Sequence, residues 1–169
     1  MNDNHYQQNL YMKINLTITG CMGRMGQQLI KSSNKNKIFK IVSLTENFKI
    51  NRKINNILPE FNNVNSFKKT NIIIDFTVPK CTLEVLKIAS KLKKRVVIGT
   101  TGFTKSQENL IKKYSKKIPI LKAGNMSLGI NLLMYLTEIT SKSLGNNFLS
   151  KVFEAVSYTH LTLPTTSSV

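Results

Sequence analysis

The 169-residue chain is long enough for one ordinary domain with a hydrophobic core, and its apolar content of 41% excludes an intrinsically disordered protein. The net charge of +17 is compatible with a nucleic-acid or membrane-surface partner. The basic residues are, however, 22 Lys and only 3 Arg, and they are scattered along the chain, which favours a solvated basic surface. Cys21 and Cys81 lie far apart without metal-ligand spacing, which predicts a protein of the reducing cytoplasm without a metal site. No apolar run approaches the roughly 20 residues of a membrane span.

Strands and helices alternate along the chain after residues 1–12, a polar stretch predicted to be a disordered extension. Residues 47–70 are rich in Asn and are predicted to be loop with a short helix. Because parallel strands require crossover connections, the alternation predicts an α/β fold of the Rossmann type, a doubly wound parallel sheet. Strands are predicted at residues 13–19, 39–44, 71–75, 95–99 and 118–123, and helices after residue 26, from residue 79, at 105–117 and at 128–144.

A glycine-rich turn connects the first strand to the first helix. Gly permits the tight turn and a close backbone approach, and the following helix N-terminus offers unpaired N–H groups to an anion. Glu46 ends the second strand, where a carboxylate accepts hydrogen bonds from ribose hydroxyls. These features predict a dinucleotide-binding domain at residues 13–148; the alternative is a tight turn without a ligand. The candidate cofactor-binding residues of the turn are Gly20, Cys21, Met22, Gly23, Arg24, Met25 and Gly26.

Four motifs in order give the chain its resemblance to one enzyme family. The turn has GxxGxxG spacing with "GRMG", and it is followed by "IDFTVP" (74–79), "VIGTTGF" (97–103) and "AGNMSLGINL" (123–132). Together they resemble the 4-hydroxy-tetrahydrodipicolinate reductase (dihydrodipicolinate reductase) family over roughly residues 13–155. "GTTG" and "NMSLGIN" favour this family over another Rossmann dehydrogenase such as an aspartate dehydrogenase. A basic nucleic-acid-binding domain remains the alternative of a different class.

The resemblance implies a cofactor, NADH or NADPH, and a dicarboxylate substrate that is reduced in diaminopimelate and lysine biosynthesis. It places Glu46 on the adenosine ribose. Many relatives have a basic residue next, which binds the 2′-phosphate of NADPH; Asn47 stands here, which favours NADH or dual use. The resemblance also adds candidate cofactor-binding residues after the third, fourth and fifth strands, namely Phe76, Gly99, Thr100, Thr101, Ala123, Gly124, Asn125 and Met126.

The end of the chain departs from the family. Residues 149–155 match the first strand of the family's α+β substrate and tetramerisation domain, which is otherwise largely absent. The family's His-His-x-x-Lys-type catalytic motif should follow Ala155, but Val156 and Ser157 stand there, so no catalytic residue is assigned. We hypothesise that residues 156–169 are a translated sequencing adaptor, the alternative being a genuine Thr-rich tail. His160 then has no role, and neither substrate turnover nor the family's homotetramer is expected of this chain.

Overall fold

The computed structural model describes residues 13–145, 148–149 and 151, and its main feature is a five-stranded sheet. The sheet order is β2-β1-β3-β4-β5, and all neighbouring strands are parallel. This arrangement confirms the predicted Rossmann-type sheet, and each strand begins and ends within two residues of its predicted bounds. The strands are β1 (Ile14–Thr19), β2 (Phe39–Thr45), β3 (Ile72–Asp75), β4 (Arg95–Ile98) and β5 (Ile120–Lys122).

The helices begin where the sequence carries start signals. Pro79 occupies the first turn of its helix, where its missing N–H costs nothing. Thr104 and Gln107 form a reciprocal capping box, and Asn63 and Ser66 form another at the short helix within the Asn-rich stretch. The helices are α1 (Arg24–Lys35), α2 (Val64–Lys68), α3 (Pro79–Lys91), α4 (Lys105–Ser115) and α5 (Leu128–Leu144).

Successive residues of β1 point to opposite faces of the sheet, and each face has its own hydrophobic cluster. Ile18 packs in the cluster that contains Ile30 of α1, whereas the hydroxyl of Thr19 contacts Asp75. The second cluster contains Ile73 of β3 and Leu86 of α3, both fully buried. The sheet is therefore covered by helices on two sides, as a doubly wound fold requires.

The strand order reverses at β1, because the chain goes from β1 to β2 on one side and then returns to β3 on the other. In open α/β sheets this switch point, outside the carboxyl ends of the strands, is where ligands bind. A ligand-binding site is therefore expected at the carboxyl ends of β1 and β3.

The chain forms two compact units that divide between Met126 and Ser127. The predicted domain of residues 13–148 had included α5, which falls in the second unit and has no buried residue. Ser127 caps α5 by accepting a hydrogen bond from the N–H of Ile130. Within the described part of the chain, no helix is long and apolar enough to cross a membrane.

Candidate functional site: a cleft at the carboxyl edge of the sheet

The glycine-rich turn folds tightly between β1 and α1. Gly20 has a φ of +67°, and its N–H donates to the carbonyl of Thr45 at 2.9 Å. A Cβ on Gly26 would lie 2.1 Å from the Gly20 carbonyl oxygen, so only glycine lets the helix pack this closely on the turn. The first observation confirms the tight turn predicted from the sequence, and the second shows that α1 packs directly on it.

The start of α1 is open to a ligand. Gly23 is the N-cap of α1 and provides no side-chain cap, so first-turn N–H groups of the helix have no intrahelical acceptor. A Cβ on Gly23 would meet one atom within 4 Å, the carbonyl oxygen of Gly20 at 3.3 Å. The space in front of Gly23 is therefore free, and an anion could approach the backbone there.

The Glu46 carboxylate lies beside the same turn. One of its oxygens accepts a hydrogen bond from the N–H of Met22 and the other from the N–H of Asn47, both at 3.1 Å. These two bonds fix the carboxylate at the end of β2, half-buried, with further acceptor capacity for the hydroxyls of a ligand. Glu46 and the turn border one cavity of about 250 Å³, with Asn62, Phe76, Thr77 and Cys81 on its other walls.

The ends of β3 and β4 form one wall of the site. The ring of Phe76 lies directly on Gly99, where a Cβ would come within 2.1 Å of a ring carbon. The Thr100 side chain is buried and accepts a hydrogen bond from the N–H of Thr77 at 2.9 Å. Thr101 and Gly102 are exposed, and Gly102 has a φ of +82°. The hydroxyl of Thr100 therefore faces the protein, whereas Thr101 and Gly102 are the exposed part of this loop.

The remaining predicted residues lie at the edge of the cleft or contribute only their backbone. Arg24 and Met25 are exposed on the first turn of α1. The Cys21 side chain is fully buried in the core, and this burial, reinforced by the nearby charge of Glu46, raises the pKa of its thiol to about 11. The predicted segment after β5 lies at the same edge of the sheet but does not line the cavity: it comprises Ala123, Gly124, Asn125 and Met126.

Sequence reasoning missed several side chains of the cavity, among them Asn62 and Cys81. The Asn62 amide accepts a hydrogen bond from the Thr45 hydroxyl at 2.7 Å and donates one to the Cys81 sulfur at 3.1 Å. Burial raises the pKa of the Cys81 thiol, although the hydrogen bond from Asn62 opposes the effect. No motif marks Asn62, because it is one of many asparagines in a stretch predicted to be loop.

A second cavity, of about 330 Å³, borders the glycine-rich turn at Cys21 and Met22. Cys21 and Met22 form one wall, and three basic side chains, Lys31, Arg52 and Lys53, line the rest with Gln27, Ile30 and Ile54. Among the described residues no acidic side chain lines this cavity, so the electrostatic potential of its described lining favours an anion. Neither cavity contains a cluster of metal-ligating side chains; none occurs among the described residues.

The comparisons with known proteins agree with this geometry. The model of the family "Dihydrodipicolinate reductase, N-terminus" matches residues 14–126, and thus ends where the first compact unit ends. The chain belongs to the dihydrodipicolinate reductase family. This confirms the resemblance and excludes the aspartate dehydrogenase alternative. The N-terminal domain of this family is its NAD(P)H-binding domain.

Named relatives extend the match. The chain is 72% identical over 142 residues to the 4-hydroxy-tetrahydrodipicolinate reductase of Pelagibacter ubique, an alignment that covers 84% of this chain and 55% of the relative. It is 37% identical to the same enzyme of a Buchnera aphidicola subspecies, covering 85% and 57%. A dipicolinate-bound dihydrodipicolinate reductase from Paenisporosarcina superposes with a TM-score of 0.65 at 26% identity, covering 76% and 54%. The chain spans about half the length of these relatives.

The rest of the predicted C-terminal organisation falls outside the described residues. This concerns the match at Glu154 and Ala155, the positions of the family's catalytic motif at Val156 and Ser157, the hypothesised adaptor at residues 156–169 and His160. The N-terminal extension of residues 1–12 is likewise outside them.

Proposed function

We propose that this chain is the cofactor-binding part of a 4-hydroxy-tetrahydrodipicolinate reductase. Such an enzyme uses NADH or NADPH to reduce 4-hydroxy-tetrahydrodipicolinate to tetrahydrodipicolinate in diaminopimelate and lysine biosynthesis. One observation carries the proposal: an uncapped helix N-terminus at Gly23 and an oriented carboxylate at Glu46 border the same cleft at the switch point of the sheet.

The residues fit the two ends of a dinucleotide. The first-turn N–H groups of α1 would hold the pyrophosphate, and Glu46 would accept hydrogen bonds from the adenosine ribose. Phe76, the backbone at 99–101 and the segment at 123–126 would surround the nicotinamide, which supplies the hydride when it is bound. The open space in front of Gly23 supports this arrangement, because a pyrophosphate needs contact with bare backbone there.

We propose that both reduced coenzymes bind. Asn47 lacks the charge that many relatives place next to Glu46, which favours NADH. The second cavity offers Arg52 and its two basic neighbours next to Met22, whose N–H holds the Glu46 carboxylate. A 2′-phosphate on the ribose that Glu46 binds could reach this positive charge, which supports use of NADPH as well.

Substrate reduction is not expected of the 169-residue chain. The family supplies a proton and holds the dicarboxylate with a His-His-x-x-Lys-type motif, and Val156 and Ser157 occupy the positions where it should begin. We therefore propose that this chain binds coenzyme without turnover, in the cytoplasm, and without assembling into the family's homotetramer. We also propose that its scattered lysines bind no nucleic acid specifically.

The test is a titration of the purified chain with NADH and with NADPH, followed by the fluorescence of the reduced nicotinamide, and an activity assay with the dicarboxylate substrate. We expect saturable binding of both coenzymes and no oxidation of NADPH when substrate is added. A steep salt-dependent affinity for duplex DNA without coenzyme binding would support the nucleic-acid alternative instead.

A further inference from the structure

The carboxylate of Asp75 is completely buried in a cage of threonine hydroxyls, although it does not line the cleft. One oxygen accepts hydrogen bonds from Thr19 at 2.5 Å and Thr77 at 2.7 Å. The other accepts from Thr82 at 2.5 Å and Thr100 at 3.2 Å. A carboxylate has about four lone-pair sites, so this set of donors fills its acceptor capacity.

No ion pair within the part of the chain that the structure describes involves Asp75. The ion pairs within the described ranges are Lys122 with Glu108 and Lys142 with Glu138. A buried carboxylate is costly unless hydrogen bonds replace its hydration, and the four hydroxyls together offset this cost for Asp75. A core side chain with no other purpose would be expected to be apolar here, because isosteric apolar packing avoids this cost.

The cage connects four different parts of the cleft edge. Thr19 ends β1 next to the glycine-rich turn, Thr77 follows β3, Thr82 lies in the first turn of α3, and Thr100 follows β4. The hydrogen bond from Thr100 to Asp75 also orients the Thr100 hydroxyl. Its single hydroxyl proton is donated to Asp75, so a lone pair of its oxygen is free to accept the N–H of Thr77.

This chain of bonds fixes the wall formed by Phe76 and Gly99. Phe76 stands between Asp75 and Thr77, whose N–H is held by Thr100. The N–H of Gly99 donates to the carbonyl of Asp75 at 2.8 Å, and the Phe76 ring lies on Gly99 with no room for a Cβ. Asp75 thus constrains the segments after β3 and β4 at once, while Thr82 connects the oxygen that Thr100 also binds to α3.

We propose that Asp75 and Thr100 are positioning residues that hold the Phe76–Gly99 wall in place for the nicotinamide end of the coenzyme. The inference rests on the proposed function, in which this wall faces the nicotinamide and the turn at residues 20–26 faces the pyrophosphate. Loosening the wall weakens the binding of NADH, whereas ADP-ribose, which lacks the nicotinamide, binds as before.

The test compares two threonine variants by isothermal titration calorimetry with NADH and with ADP-ribose. Thr100→Val removes the bond to Asp75 and the acceptor of the Thr77 N–H. Thr82→Val is the matched control, because it removes a buried bond to the same carboxylate on the α3 side. We expect Thr100→Val to weaken NADH binding about tenfold, as the loss of one hydrogen bond would. The affinity for ADP-ribose should stay within about twofold of the wild-type value. Thr82→Val should leave both affinities within about twofold while lowering the unfolding midpoint as Thr100→Val does.

Thr100→Ser keeps the hydroxyl and should restore NADH binding, which a purely steric role of the side chain would not require. If Thr100→Val does not fold, Asp75→Asn gives the same comparison, because an amide can accept from only half of the cage. Unchanged NADH affinity, or an equal loss for ADP-ribose or in Thr82→Val, would overturn the inference and leave the proposed function intact. A wild-type chain that binds neither ligand would overturn both.

Discussion

The glycine at position 23 allows a sharp test of where the pyrophosphate binds. Gly23 has an ordinary φ of −66°, so alanine can adopt its conformation without strain. The added Cβ would meet only the Gly20 carbonyl oxygen, at 3.3 Å, and would otherwise project into open space at the edge of the cleft. Gly23→Ala should therefore fold once the Gly20 carbonyl shifts by a few tenths of an ångström, at a cost of about 0.5–1 kcal/mol that includes the poorer N-cap.

The effect on binding should be larger than the effect on stability. The methyl group would separate the pyrophosphate from the N–H groups of α1, which removes at least one charge-assisted hydrogen bond worth about 1.5–3 kcal/mol. This corresponds to a loss of NADH affinity of roughly 10- to 150-fold. Isothermal titration calorimetry with NADH and with ADP-ribose measures it, and both ligands should lose affinity equally because both carry the pyrophosphate.

Gly26→Ala is the contrasting variant. Its Cβ would lie 2.1 Å from the Gly20 carbonyl oxygen and 2.8 Å from Cys21 Cα, so the turn itself must move. We expect a loss of about 1–3 kcal/mol or more in the free energy of unfolding, measured by urea denaturation. If Gly23→Ala bound NADH as tightly as the wild-type chain does, the pyrophosphate could not lie against this backbone and the reasoning would be refuted.

Three further outcomes are expected. Glu46→Gln should weaken NADH binding about tenfold by calorimetry, since an amide is a weaker acceptor for ribose hydroxyls than a carboxylate; equal affinity would contradict the role of Glu46. Arg52→Gln should weaken NADPH binding about tenfold and leave NADH binding unchanged, with Arg95→Gln, at the exposed first residue of β4, as the matched control; an equal effect on both coenzymes would exclude the second cavity as the phosphate site. Because burial raises the pKa of Cys21 to about 11 from 9.0, the folded state retains a proton that the unfolded state loses. The stability that the protonated Cys21 thiol provides is present below pH 9 and is lost as the pH rises toward 11. The unfolding free energy of Cys21→Ala should therefore fall less between pH 9 and 11 than that of the wild-type chain.

The order of the elements could be predicted because each strand and helix carries a local signal. "NIIID" is a continuous apolar run typical of a strand buried on both faces, and Pro79 marks the start of the helix that follows. The roles of Gly20 and Gly26 could be predicted for the same reason. Glycine readily adopts the left-handed φ of Gly20, and at Gly26 a Cβ would lie 2.1 Å from the Gly20 carbonyl oxygen.

The polar details of the site could not be predicted from the sequence. The Asp75 cage depends on contacts between residues up to 56 positions apart, and four ordinary threonines give no pattern that identifies it. The same holds for the second cavity, because Lys31 and Arg52 meet only once the loop after β2 has folded against α1. A local pattern specifies the backbone, whereas the convergence of distant side chains requires the tertiary fold.

The central claim is that the bare backbone at the start of α1 binds the diphosphate of a nicotinamide dinucleotide. Calorimetric titration of the folded wild-type chain with NADH tests it most directly. We predict saturable binding with one coenzyme per chain, and competition by ADP-ribose. A folded sample that releases or absorbs no heat with NADH, NADPH or ADP-ribose would contradict the claim.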